Sequence, residues 1–169
     1  LSVSNFTTSS SSGSVTAVSS PTAITNGYKY TVTVKGTAAG TFNVGLKAGA
    51  IKDNSNNTNA LTTSSNVTVD KLYFTVSKTD YSGTYDGASH TFDLSVTPSD
   101  DIEIYYSTSA KLYSTNYSTD GTTTKPTRTD AGTSTVYYYI VSKSGNYTNY
   151  SSDWYGNNAT ITVAQKEVT

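Results

Sequence analysis

The chain has no cysteine and no methionine, and its 169 residues include one histidine, one tryptophan and three prolines. Without cysteine there is no disulfide framework, no thiolate zinc site and no thiol nucleophile. Charge is scarce as well: charged residues make up 14% of the chain, 11 basic against 12 acidic, for a net charge of −1. No basic face can form to neutralise phosphates, so nucleic acid is not an expected partner. No apolar run is long enough to cross a bilayer as a helix, so direct membrane insertion is not expected. A Gly-x-Ser-x-Gly elbow is missing, and the lone His90 has no cysteine or elbow serine to activate. His90 reads as structural and the chain as a non-enzyme.

Ser, Thr, Asn and Tyr fill the space left by charge. Ser plus Thr are roughly a third of the chain, well above ordinary usage. Thr and Tyr favour strands, while Asn, Ser and Gly favour turns, so the composition predicts an all-β protein. Fifteen tyrosines argue against a disordered Ser/Thr linker. The organising stretch is Asp130 to Val141, a turn followed by the longest apolar run in the chain. Val136, Tyr138 and Ile140 would face one side of a strand, and Tyr137, Tyr139 and Val141 the other. A strand apolar on both faces is a central one.

The remaining strands are read by alternation. Leu1 to Phe6 and Ser14 to Ser19 are weak strands, and Asn26-Gly27 is a turn signal. Tyr28 to Val34 and Thr41 to Lys47 alternate cleanly, and Asn66 to Asp70 follows an Asn-rich loop, Ala48 to Asn59, from either end of which Ile51 and Leu61 are expected to plug the core. Lys71 to Ser77 starts another strand with no Gly or Pro between. This places a boundary at Asp70/Lys71 and predicts a stiff joint. Beyond it, Tyr81 to Ala88 reads as a turn region, His90 to Val96 and Ile102 to Tyr106 as strands, Leu112 to Tyr117 as a short edge strand, and Asn158 to Ala164 as the closing strand. The domains are therefore expected at 1–70 and 71–165. The Asn-Val-Thr-Val-Asp-Lys-Leu of Asn66 to Leu72 is echoed by Thr160 to Val168, so 166–169 is expected to start a following repeat. The chain opens on Leu1 within a strand-like pattern, as a processed product or a piece of something longer would.

Tyr85-Asp-Gly-Ala-Ser-His, Ile104-Tyr-Tyr-Ser-Thr, Asp130-Ala-Gly-Thr, Val136-Tyr-Tyr, Asn146-Tyr-Thr-Asn-Tyr and Ala159-Thr-Ile-Thr-Val follow one another in order. This series resembles the bacterial immunoglobulin-like (Big-type) tandem repeats of large cell-surface proteins and adhesins. The first half, with Gly40-Thr-Phe-Asn-Val, Gly49-Ala-Ile-Lys-Asp and Val67-Thr-Val-Asp, is similar to the end of a second type of such repeat, and on that likeness lacks opening strands. The resemblance implies two tandem Ig-like β-sandwich domains, the first truncated at its N-terminus. It also implies extracellular display, secreted or associated with a cell wall or S-layer, and a structural spacer role with neighbouring repeats as partners. It supplies no catalytic residue. One departure stands out: the family often has Tyr just after the Ala-Gly-Thr turn, where this chain has Ser134, so a tyrosine-corner bond is missing or replaced.

Two clusters remain as candidate sites. Tyr147, Tyr150, Trp154 and Tyr155 crowd the loop before the last strand and could offer ring faces to a host or cell-wall glycan or a protein. Packing onto the end of the domain is the expectation for Tyr147 and Tyr150, while Trp154 and Tyr155 stand open between the two readings. Asp53, Ser55 and Asn57 mimic the opening of a calcium loop, with Asp70 as a further oxygen donor near the joint. Thr58 stands where the sharp-turn Gly belongs and Ser64 where the bidentate Glu belongs, so a solvated turn is the first expectation and a weak calcium site the second. No other cofactor is expected. Asp100, Asp101 and Glu103 read as a turn cluster rather than a catalytic pair.

Overall fold

Short strands joined by Ser-, Thr- and Asn-rich turns make up most of the computed structural model, which describes residues 1–167, and helix is almost absent. The chain is all-β. It forms two compact units, Leu1–Lys71 and a second beginning at Leu72. Of the expected 166–169 segment, Lys166 and Glu167 lie outside any strand, and Val168 and Thr169 lie outside the described residues.

The first unit contains β1 (Phe6–Thr8), β2 (Gly13–Val18), β3 (Thr22–Ile24), β4 (Gly27–Lys29), β5 (Val32–Gly36), β6 (Gly40–Phe42), β7 (Val44–Leu46), β8 (Thr62–Thr63) and β9 (Val67–Val69). They pair as β1-β7-β8, β2-β5, β3-β4 and β6-β9. The expected first strand is instead a 3-10 turn over Val3–Asn5, because Asn5 Oδ1 accepts the Ser2 N–H at 2.8 Å. Such local side-chain bonds compete with strand pairing. The expected strand over Tyr28 to Val34 is two strands, broken at Tyr30 and Thr31 where the pairing partner changes from β3 to β2. There Ser19 Oγ accepts the Thr31 N–H at 2.9 Å. Thr41 to Lys47 likewise divides at Asn43, β6 pairing with β9 and β7 with β1 and β8.

Packing in this unit centres on Phe42, which is 1% exposed. Gly13 and Gly36 pair across β2 and β5. The Phe42 ring lies against Gly13, and Val69 Cγ2 would stand 2.8 Å from a Cβ at Gly36. The two glycines thus open the slot that admits Phe42 of β6 and Val69 of β9. Ile51 and Leu61 do not plug this core. They are 43% and 62% exposed, because the loop between them folds onto its own polar bonds. Asn59 Nδ2 donates to the carbonyls of Lys47 and Ala60, and Asn59 Oδ1 accepts the Ile51 N–H.

The second unit contains β10 (Leu72–Tyr73), β11 (Thr75–Thr79), β12 (Tyr81–Thr84), β13 (Asp93–Thr97), β14 (Ile102–Ser107), a helical turn α1 (Tyr117–Asp120), β15 (Gly132–Ser142), β16 (Tyr147–Thr148), β17 (Tyr150–Ser151) and β18 (Ala159–Ala164). β11 pairs antiparallel with β13, while a larger sheet runs β12-β18-β15-β14 with β17 also on β15. β15 is central, as its two-faced apolar pattern predicts. One core joins the two sheets: Phe92 and Val96 from the β13 side meet Tyr106, Val136, Tyr138, Ile140, Ala159 and Ile161. Aromatic and β-branched residues pack well on such pleated faces, which is why this unit's core is the larger one.

Two expectations fail here, and a third point is decided. Tyr81 to Thr84 is a strand rather than part of a turn, paired in parallel with β18 from Tyr81↔Ile161 to Thr84↔Ala164. Leu112 to Tyr117 is not an edge strand. Asn116 Oδ1 accepts the Tyr113 N–H at 2.7 Å and its Nδ2 donates to the Lys111 carbonyl, which curls the segment into α1. The corner bond absent at Ser134 is replaced by Arg128, whose Nη1 donates to Ser134 Oγ and Nη2 to the Ala131 carbonyl, each at 2.9 Å. Gly132 carries φ +134° beside that guanidinium, a conformation that L side chains rarely adopt.

Candidate functional site

The aromatic loop is held from beneath by two buried serines. Ser151 Oγ donates to the Leu112 carbonyl at 2.7 Å, tying the segment before α1 to β17. Ser152 Oγ accepts the Tyr138 N–H at 2.9 Å and donates to Asn158 Oδ1 at 2.8 Å, while the Ser152 N–H donates to the Tyr138 carbonyl. Asp153 to Gly156 turns above these anchors, closed by the Asn157 N–H on the Ser152 carbonyl at 2.8 Å, with Gly156 at φ +59°. Tyr138 completes the brace by donating its hydroxyl to the Asn157 carbonyl at 2.9 Å. Burial pushes the Tyr138 phenol well above its ordinary range, so it remains a donor.

This frame divides the four predicted aromatics. Tyr147 stacks on Phe74 at 4.9 Å, apart from the others. Tyr150 is half-buried, with its ring parallel to Tyr155 at 4.6 Å and to Tyr138 at 6.1 Å, and its hydroxyl accepts from Asn157 Nδ2. Trp154 and Tyr155 project, 55% and 59% exposed. Packing therefore holds Tyr147 and Tyr150, and open ring surface belongs to Trp154 and Tyr155.

Sequence reasoning missed the residues that support Trp154. Tyr113 lies 6.0 Å from it and Tyr139 meets it edge to face at 6.2 Å. Tyr117 of α1 stacks on Tyr139 at 4.9 Å and touches Tyr105 at 4.8 Å, so a row of rings runs along this face. Beside Trp154 the Asp153 carboxylate accepts from the Tyr113 hydroxyl and from Lys111 Nζ at 3.0 Å. The Tyr113 bond first, then Lys111, holds the Asp153 carboxyl below the ordinary carboxylate range. For Tyr113 and Tyr117 the only signal in the sequence was tyrosine spaced through the polar stretch from Ser107 to Arg128.

The calcium-like residues gather around one carboxylate. Asp53 Oδ1 accepts the N–H groups of Ser55 and Asn57, and Oδ2 accepts Asn57 Nδ2, all at 2.8 Å. These bonds, the Asn57 side chain foremost, lower its pKa. Asp53 thus braces its own turn, and Asp70 lies exposed just after β9. Among the described residues no three His, Asp or Glu side chains gather as a metal set.

Asp101 and Asp80 are also turn braces. Asp101 accepts from Ser142 Oγ, Ser144 N–H and Ser144 Oγ at 2.7–2.8 Å. Asp80 accepts from Lys78 Nζ and from the Thr160 N–H. His90 stacks on Tyr81 at 4.3 Å, and its Nε2 lies 2.9 Å from Asp86 Oδ1. No protein-family model matches the chain, and no curated protein sequence matches it. No helix among the described residues is long and apolar enough to cross a membrane.

Proposed function

We propose that this chain is a pair of immunoglobulin-like β-sandwich domains acting as a non-catalytic, tension-bearing spacer of an extracellular bacterial surface protein, joined to neighbouring repeats. The observation that carries the reading is the parallel pairing of β12 with β18. β12 lies near the chain's entry into the second unit and β18 near its exit. Tension applied to the two ends draws β12 toward its N-terminus and β18 toward its C-terminus. Parallel neighbours are then sheared past each other, so the ladder bonds share the force instead of opening one by one.

Three further features support the reading. The chain changes sheets between β11 and β12 at Asp80, which Lys78 and Thr160 hold in place. Two sheets closing on one core, with the opening strands divided between them, is the pattern expected of an immunoglobulin-like sandwich. The carboxyls of Asp80, Asp86, Asp101 and Asp153 are all lowered, the reverse of the raised carboxyl that a general acid requires. The extracellular assignment rests on the resemblance of the residue motifs.

Pulling the whole chain by its ends tests the proposal. The first unit has no such clamp, since β1 pairs with β7 and β9 with β6. It should yield first, releasing about 250 Å of contour at about 3.6 Å per residue over its length. The second unit should follow at higher force with about 350 Å. Reversed order, or equal forces, would count against the proposal.

A further inference from the structure

The spacer reading leaves the exposed rings of Trp154 and Tyr155 without a task. The geometry points to a carbohydrate site here: Trp154 and Tyr155 form a stacking platform for the pyranose rings of a neutral glycan, with Lys111 and Asp153 as hydroxyl partners at its edge. It stands independently of the mechanical proposal.

Four features carry it. First, the platform is preorganised. Tyr155 is backed by Tyr150 at an interplanar angle of 8°, Trp154 is wedged by Tyr113 and Tyr139, and the turn that carries both is pinned through Ser152. A ring that is already ordered loses little entropy when a ligand stacks on it. Second, aromatic faces are electron-rich, and the C–H groups on one face of a pyranose are the polarised apolar surface that complements them. Third, the polar groups beside Trp154 form a neutral pair. Lys111 and Asp153 are joined at 3.0 Å, and Asp153 also receives the Tyr113 hydroxyl. Such a pair offers donors and acceptors to hydroxyls while giving neither an anion nor a cation a net charge to bind. Fourth, the flanks are polar. Ser114, Thr115 and Ser118 are exposed near Tyr113 and Tyr117. A protein partner would need an apolar area around its anchor residues, whereas a hydroxyl-rich ligand suits this rim.

The test uses the complete chain and its single tryptophan as reporter. Cellotetraose and N-acetylated chitotetraose are titrated separately to about 10 mM, where a site with a Kd of about 1 mM approaches saturation. The expected result is a saturable change in Trp154 emission with at least one of them. Calorimetry with the same sugar should show Trp154→Leu and Tyr155→Ala weakening binding about tenfold or more. Trp154→Phe, which keeps a flat face, should lose less than Trp154→Leu. Tyr28→Ala, at an exposed tyrosine of the first unit, should bind as the parent does. Far-UV spectra and melting curves establish that each variant is folded. If Trp154→Leu does not fold, Tyr155→Ala and Trp154→Phe carry the comparison. Silence with both sugars overturns the proposal, as does undiminished binding in the folded Trp154 or Tyr155 variants, or an equal loss in Tyr28→Ala.

Discussion

Gly13→Ala should damage the first unit out of proportion to the one methyl group it adds. A Cβ at Gly13 would fall inside van der Waals contact of the Phe42 ring. The backbone around it is paired strand, Gly13 against Gly36, and cannot simply withdraw. Overpacking of this kind costs about 1–3 kcal/mol. The upper bound is loss of the Phe42 contact altogether, about 3–5 kcal/mol. At about 0.05–0.15 kcal/mol per residue, a unit of this length has only about 4–10 kcal/mol in total, so the methyl consumes a large share of it. Each kcal/mol moves the midpoint of so small a domain by about 4–8 °C. Amide exchange in the intact chain, read residue by residue, separates the two units. Protection of β2, β5, β6 and β9 should fall about tenfold or more, with β15 and β18 unchanged. The cycle with Phe42→Ala gives a second reading. Once the ring is gone the added methyl has room, so the two losses should be less than additive. A Gly13→Ala variant whose first unit keeps parental exchange rates would refute the packing argument.

Acid provides another test. The carboxyls of Asp80, Asp86, Asp101 and Asp153 have folded pKa values below the ordinary 3.8. Groups depressed on folding contribute stability that is full above the unfolded pKa and is lost as pH falls through the folded one. The second unit should therefore hold constant stability from neutral pH to about 5 and weaken below about 4, and Asp101→Asn should flatten part of that fall in urea titrations. Ser152→Ala leaves the buried Tyr138 N–H without its side-chain acceptor and should cost about 1–3 kcal/mol of second-unit stability by chemical denaturation. Arg128→Lys gives up the two-pronged hold on Ser134 and Ala131 and should lower the melting midpoint, a loss of about 1 kcal/mol.

Elements whose signal is carried by their own side chains were legible in the sequence. Val136, Tyr138 and Ile140 alternate, so β15 and its buried face could be read directly, as could Ala159, Ile161 and Val163 of β18. Elements set by a distant partner were not. Tyr81-Ser-Gly-Thr has the composition of a turn, and only pairing with Ile161 to Ala164, some eighty positions away, makes it a strand. Tyr28 to Val34 alternates without a break, yet its pairing partner changes midway, which no property of the segment itself announces. Ile51 and Leu61 looked like core because they are apolar. The Asn59 bonds organise their loop around polar contacts and leave both side chains exposed. In the aromatic loop the packing of Tyr147 and Tyr150 could be expected from the sequence, but the division that leaves Trp154 and Tyr155 projecting was open. That division follows from Ser151, Ser152 and Tyr113, which lie on three different elements or turns and carry no distinctive local pattern.

The most direct measurement of the tension-bearing claim compares two pulling directions on the same domain. The chain has no native cysteine, so handles can be placed at will. One pair goes at the chain ends, loading β12 against β18 in shear. The other goes at Thr108 and Thr135, near the paired Ser107 and Tyr137, where tension peels β14 from β15 one bond at a time. The account predicts a markedly higher unfolding force for the second unit when it is pulled by its ends, and a drop in that force alone when Tyr85→Pro removes the 2.9 Å bond from the Tyr85 N–H to the Ala164 carbonyl. Equal forces in the two directions, or an end-to-end force indifferent to Tyr85→Pro, would contradict it.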